Sequence, residues 1–150
     1  MIELEHVADL VVTVAPAIEI GATPAGLRRL IPITGGEVRG PKLRGRVLPF
    51  GADFQTMRAD GVTELEARYA IETEDRGMIY IRNIGLRHGL PEAMEKLKRG
   101  EAVDPKLIYF RTSPRFETAA KNYLWLNRYV FVAEGARRPE HVELTVYQVL

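Results

Sequence analysis

The chain has no cysteine, which excludes disulfides, a thiolate nucleophile and any cysteine-ligated metal centre. It has three histidines, His6, His88 and His141, too far apart to show the i, i+2 or i, i+4 spacing of zinc sites. Ser113 is the single serine and precedes Pro114. No Gly-x-Ser-x-Gly elbow surrounds it, so a serine hydrolase is not indicated. Neither charge sign dominates: 21 Lys and Arg against 20 Asp and Glu give a net charge of +1. The charges are interspersed, without the clustered basic face that nucleic acid requires. The longest apolar run, near Leu10–Val14, is far too short for a membrane span. The start, Met1-Ile2-Glu3-Leu4-Glu5, shows neither the basic nor the apolar region of a secretory signal. Thr34-Gly35-Gly36 lacks the Lys-Ser or Lys-Thr of a phosphate loop. These absences lead us to expect a cytoplasmic protein with no metal, no cofactor, no nucleic-acid partner and no membrane partner.

What is present is the composition of a folded protein. At 150 residues, 46% hydrophobic and 27% charged, the chain fits one domain over residues 1–150, burying roughly 70% of its extended surface. Strand signals dominate. Leu4–Val14 is rich in Val and Leu, Pro16 ends it, and Gly21–Gly26 reads as a loop. Arg28–Thr34, Glu37–Arg39 and Leu43–Leu48 are short strand candidates. Phe54–Ala59 and Val62–Thr73 flank Asp60-Gly61, the dipeptide of a two-residue hairpin turn. Asp75-Arg76-Gly77 leads to Met78–Arg87, with Gly77 suited to a left-handed position. Ile108–Thr112, Tyr123–Ala133 and Val142–Val149 complete the strands. One short helix near residues 90–99 has Pro91 and Glu92 early, Lys96, Lys98 and Arg99 late, and Gly100 at its stop. The pattern predicts a mainly β, single-domain antiparallel β-barrel of about eight to ten strands.

A two-residue turn at Asp60-Gly61 would pair Asp53 with Arg68 and Gln55 with Glu66 on one sheet face, shared with Glu64, Tyr80 and Arg82. Tyr69, Ile71, Ile81 and Asn83 would occupy the other face with Phe54 and Arg58. Two assignments follow. If the apolar face is the interior, Tyr69 and Asn83 are inward polar groups, and the parity of Trp125–Ala133 adds Trp125 and Asn127. If the polar face is inside, Asp53, Arg68 and Arg82 form a buried ionic network whose cost marks it as functional.

Phe110–Asn127 concentrates aromatics, arginines and amides as a pocket wall does. Arg111 there suits a clamp for a carboxylate or enolate, and Glu117, like Asp53, suits a general acid or base. Arg111 and Glu117 could equally pair with each other as a strut.

Several segments together resemble the bacterial and fungal family grouped as domain of unknown function 3237. They are Arg29–Gly36, Gly40–Gly45, Gly51–Gln55, Asp60-Gly61, Tyr80–Gly85, Tyr109–Thr112, Arg115–Thr118 and Trp125–Asn127. They run in order along nearly the whole chain, with Phe54 where many relatives carry Trp. The resemblance implies a single-domain antiparallel β-barrel and brings no assigned catalytic residues.

These readings predict a bacterial barrel protein that binds, and is suited to transform, a small oxygenated or carboxylated organic molecule in its lumen. Tyr69, Asn83, Arg111, Trp125, Asn127 and Arg82 are the candidate ligand-binding residues, and Glu117 and Asp53 the candidate catalytic ones. The alternative is a scaffold with a plugged lumen, forming a homo-oligomer along an edge such as Leu4–Val14 or Val142–Val149.

Overall fold

The computed structural model describes residues 1–150. Nine strands form one antiparallel sheet: β1 (Leu4–Val14), β2 (Ile18–Thr23), β3 (Gly26–Arg39), β4 (Gly45–Met57), β5 (Thr63–Thr73), β6 (Met78–Gly89), β7 (Ile108–Thr118), β8 (Phe131–Arg137) and β9 (His141–Val149). Helix α1 (Pro91–Lys98) lies where its proline, acid-to-base polarity and glycine stop place it. The sheet order is β1-β9-β8-β7-β6-β5-β4-β3-β2, and an added β1–β3 pairing closes eight strands into a barrel. β3 is 14 residues long and serves two partners. Its first half pairs with the extra strand β2, and its second half pairs with β1 from Asp9↔Arg39 to Val14↔Ile33. Gly35 and Gly36, both at positive φ, let β3 run on through what the sequence suggested was a break.

The two ends of the barrel are filled differently. Toward the β3–β4 and β5–β6 connections, Leu10, Val38, Leu43, Ile71, Ile79, Ile81, Leu126 and Phe131 pack at 2% exposure or less. A short 3-10 helix, Lys121–Arg128, covers that end. Toward the β4–β5 turn and α1, polar side chains join apolar ones on the inner face and a small cavity remains. The strands themselves pair unevenly. β5 and β6 share ten register pairs, whereas β7 and β8 share only Arg111↔Glu134 and Thr112↔Ala133.

Three local readings are corrected. The β4–β5 turn is one residue longer than a two-residue hairpin: Arg58 N donates to Val62 O at 2.9 Å and Gly61 N to Arg58 O at 3.1 Å. The Asp60 carboxylate accepts from Val62 N at 3.2 Å and Gly61 has φ +87°, the geometry of a three-residue loop with a left-handed residue. Gln55 therefore pairs with Leu65, and Asp53 with Ala67. A slip of one residue moves a whole strand's side chains to the opposite face, so Asp53 and Gln55 point inward and Phe54 outward.

At the next turn Thr73 N donates to Gly77 O, and Arg76, not Gly77, takes the positive φ of 67°. The β5–β6 register accordingly shifts by two residues, with Tyr69 beside Ile81 and Asn83 beside Ala67. An even shift keeps both faces, so Tyr69 and Asn83 remain inward.

The strand expected from Tyr123 begins only at Phe131. Side chains of the preceding residues tie the 3-10 helix to β7 and to the β5–β6 turn instead. Asn127 bonds both backbone groups of Thr118 at 2.9 Å, and Asp75 accepts from Asn122 Nδ2 and Tyr123 Oη. Those bonds hold the Asp75 carboxyl down at about 2, its hydrogen bond from Thr73 acting most strongly. The edges expected for self-association are also absent from β1 and β9, which pair with each other. The free edge belongs to β2.

Two outcomes follow. A Cβ on Gly36 would collide with the backbone carbonyl of Val11 across the closing seam, so Gly36→Ala should cost about 2 kcal/mol or more, read as a lowered midpoint in urea unfolding. The Asp75 carboxyl is depressed in the folded state, so its contribution is present above the ordinary aspartate value of 3.8 and fades as pH falls toward about 2. Asp75→Ala should therefore speed amide exchange in residues 121–128 at pH 7 while β5 and β6 stay protected.

Candidate functional site

Counting inward from the open end, the register stacks polar side chains in rungs. Arg87 on β6 pairs with Thr63 and with Phe110. The next rung joins Gln55, Leu65, Gly85 and Thr112, and the one below joins Asp53, Ala67 and Asn83. Tyr69 and Ile81 lie deeper. These residues face a lumenal cavity of about 40 Å³, whose apolar wall includes Val12, Ile31, Ile33 and Leu144 and whose rim includes Arg137. Roughly 10–15 Å³ of such space admits one water, so the cavity is small but polar enough to hold solvent or a compact group.

Six enclosed atoms on this wall have no hydrogen-bond partner within the protein: Asp53 Oδ1, Gln55 Oε1, Tyr69 Oη, Asn83 Oδ1, Arg87 Nε and Thr112 Oγ1. Buried polar atoms are ordinarily paired, and each orphan costs about 1–3 kcal/mol. Gln55 Nε2 donates to Asp53 Oδ2 at 2.8 Å. Burial raises the Asp53 carboxyl above its usual range, opposed by that bond and by the nearby Arg87 charge. Burial also raises Tyr69, helped by Asp53, so Tyr69 keeps its proton. Arg87, stacked 5.4 Å over Phe110, is pushed down to about 10 by burial. The wall can thus donate from a neutral phenol, a hydroxyl and guanidinium groups, and accept at two amide oxygens and the Asp53 carboxyl.

Arg87 also lines a vestibule of about 840 Å³ between α1, the β2–β3 turn and the β4–β5 turn, together with Arg29. Leu97 of α1 is buried and borders both this vestibule and a small crevice containing Phe110 and Arg137. The vestibule is therefore the approach to the lumen.

The sequence candidates fall into three groups. Asp53, Tyr69 and Asn83 meet in the lumen. Arg82, Glu117 and Asn127 meet elsewhere, in an outer groove of about 650 Å³ beside β7 and the 3-10 helix. Arg82 is outside because its Nη2 donates to Glu66 Oε1, which shares that carboxylate with Arg68; the ionic network exists, but on the outer face and without Asp53. Arg111 is exposed, 4.0 Å from Glu134 rather than Glu117, and packs against Tyr109. Trp125 lies on the 3-10 helix under Lys42 Nζ, 4.7 Å from its ring, and packs against the core from below. Neither it nor Asn127 reaches the lumen.

Sequence reasoning passed over Gln55, Arg87, Thr112 and Arg137. Strict alternation from Asn83 would have turned Arg87 inward, and alternation from Phe110 would have done the same for Thr112. Gln55 was hidden by the turn length.

A closed barrel of eight strands can fill its interior with side chains or hold one small ligand; this one is packed at one end and keeps a small cavity at the other. The chain belongs to the family described as Protein of unknown function (DUF3237), whose profile matches residues 2–149. It is 50% identical to the UPF0311 protein RPA1785 of Rhodopseudomonas palustris, over 99% of this chain and 97% of that protein. The crystal structure of RPA1785 matches with a TM-score of 0.96 at 49% identity, covering 100% and 99% of the two chains. A Clostridium acetobutylicum protein of unknown function superposes with a TM-score of 0.91 at 42% identity over the whole of both chains. An enzyme from Penicillium herquei shares the fold, with a TM-score of 0.74 at 23% identity over 99% of this chain and 95% of that one. No helix here is long and apolar enough to cross a membrane.

The Asp53 shift has a sign. A carboxyl raised by folding makes the native state bind the extra proton, so stability falls as pH rises from the ordinary aspartate value of 3.8 through the folded value. Asp53→Asn should remove that loss. Its midpoint at pH 7 should exceed wild type by about 1 kcal/mol, or about 2–4 °C, with the difference vanishing near pH 3 in calorimetry.

Proposed function

We propose that the barrel binds one small oxygenated organic molecule in the open half of its lumen. The observation that supports this best is the convergence of the six unpaired polar atoms on one cavity. The opposite half packs Leu10, Ile71, Ile79, Ile81 and Phe131 to 1% exposure or less, and a concave site with a few convergent polar groups is what a small ligand requires. Asp53 is the group suited to proton transfer, because it is held toward the neutral acid beside a carboxylate-stabilising arginine. Tyr69 and Asn83 orient the ligand from the deep end. Glu117 and Arg82 have no part in this reading.

A self-association reading has one feature in its favour: β2 has a free edge and carries exposed Ile18 and Ile20. An Ile20→Lys variant that leaves the mass in light scattering unchanged would remove it.

A thermal-shift screen of small oxygenated molecules tests the lumenal reading. A ligand at about 100 times its Kd stabilises by about 2.7 kcal/mol, or roughly 5–10 °C at this size. Asn83→Leu and Thr112→Val should abolish the shift while Glu117→Gln keeps it. Equal shifts in all four proteins would place the ligand outside the lumen.

A further inference from the structure

We propose that the ligand is an anion, a small hydroxy- or oxo-carboxylate whose carboxylate docks on Arg87 and Arg137 at the mouth of the lumen. This rests on the lumenal reading above and names the class of molecule it admits. Both guanidinium groups line the cavity, and neither has a carboxylate within 4.0 Å, although eleven arginine–carboxylate pairs are found across the protein. Arg87 is 7% exposed, its face is covered by Phe110, and its Nε is enclosed without a partner. Arg137 is steadied from one side, where Nη1 donates to the carbonyls of Arg138 and His141. A third cation, Arg29, stands at the same end, already engaged by Glu19 at 3.7 Å.

Against these charges the cavity wall offers one acid, Asp53, whose Oδ2 is taken by Gln55. Asp53 acts on both charges from a distance but forms an ion pair with neither, and a buried guanidinium without a paired carboxylate costs several kcal/mol. A ligand carboxylate supplies that partner. Its two oxygens match the planar fork of an arginine, and it fits the confined space more readily than a tetrahedral oxyanion. Below it, Asn83 Oδ1 and Tyr69 Oη are unpaired and complement a hydroxyl or carbonyl on the same molecule. Arg111, the sequence candidate for this clamp, lies outside the barrel.

The test is titration calorimetry of the intact protein with lactate, pyruvate and 3-hydroxybutyrate, each beside its uncharged amide, and with inorganic phosphate. The acids should bind at least 30-fold more tightly than the amides. In Arg87→Met that ratio should fall below about 3 while amide binding is retained. If this variant does not fold, the ratio in the wild-type protein decides, together with the movement of the Arg87 Nε resonance on adding acid. Amides binding as tightly as acids would overturn the anion assignment and leave the lumenal reading intact. Phosphate binding more tightly than every acid would overturn the carboxylate assignment. If neither acids nor amides bind, both readings fail.

Discussion

The antiparallel seam between β1 and the second half of β3 is the constraint on which the rest depends. Without it the sheet would be an open nine-stranded ribbon with two long unpaired edges and no interior. With it, eight strands enclose a space, and their backbone groups pair around the circle. Closure also fixes how wide the interior can be. At eight strands the width suits side chains from all sides or one small guest, and here side chains fill one half while a small cavity remains in the other.

The filled half offsets the unfavourable terms of the hollow one. Large aliphatics and Phe131 pack beneath Tyr69, with Phe116 and Phe131 edge-to-face at 4.9 Å. Lys42 ties the 3-10 helix region to β9 by donating to Gln148 at 2.7 Å. This well-packed base lets the upper wall carry unpaired amides, a buried carboxyl and two guanidinium groups without collapsing. Orientation is preserved because those side chains stand on strands rather than loops.

Most of the fold was legible in the sequence, and the site only partly. Alternation, glycine punctuation and the polarity of Pro91–Lys98 pointed to the strands and helix α1 because these signals are local. Tyr69 and Asn83 were placed on the inner face despite a wrong register, since an error of two residues preserves parity. Asp53 and Gln55 were assigned by an error of one, which does not. The difference lay in a single side chain, the Asp60 carboxylate, whose bond to Val62 N lengthens the turn. The stretch from Lys121 to Arg128 has strand-like composition, but Asn127, Asn122 and Tyr123 satisfy partners distant in sequence. Such pairings are invisible until the chain is folded. Arg137 was beyond reach for the same reason: only closure brings it to Arg87 and Asp53.

The narrow pairing of β7 with β8 has a consequence for exchange between inside and outside. A cylinder yields first along the line where the fewest bonds resist, and here two register pairs stand between two surface crevices, one at Phe116 and Phe131, the other at Phe110 and Gly135. Parting these two strands requires neither unfolding of β4–β6 nor movement of α1. With only these pairs and the bond from Ser113 Oγ to the Phe131 carbonyl at 2.9 Å across it, the β7–β8 line is the least-bonded generator of the cylinder, where local opening costs the fewest hydrogen bonds.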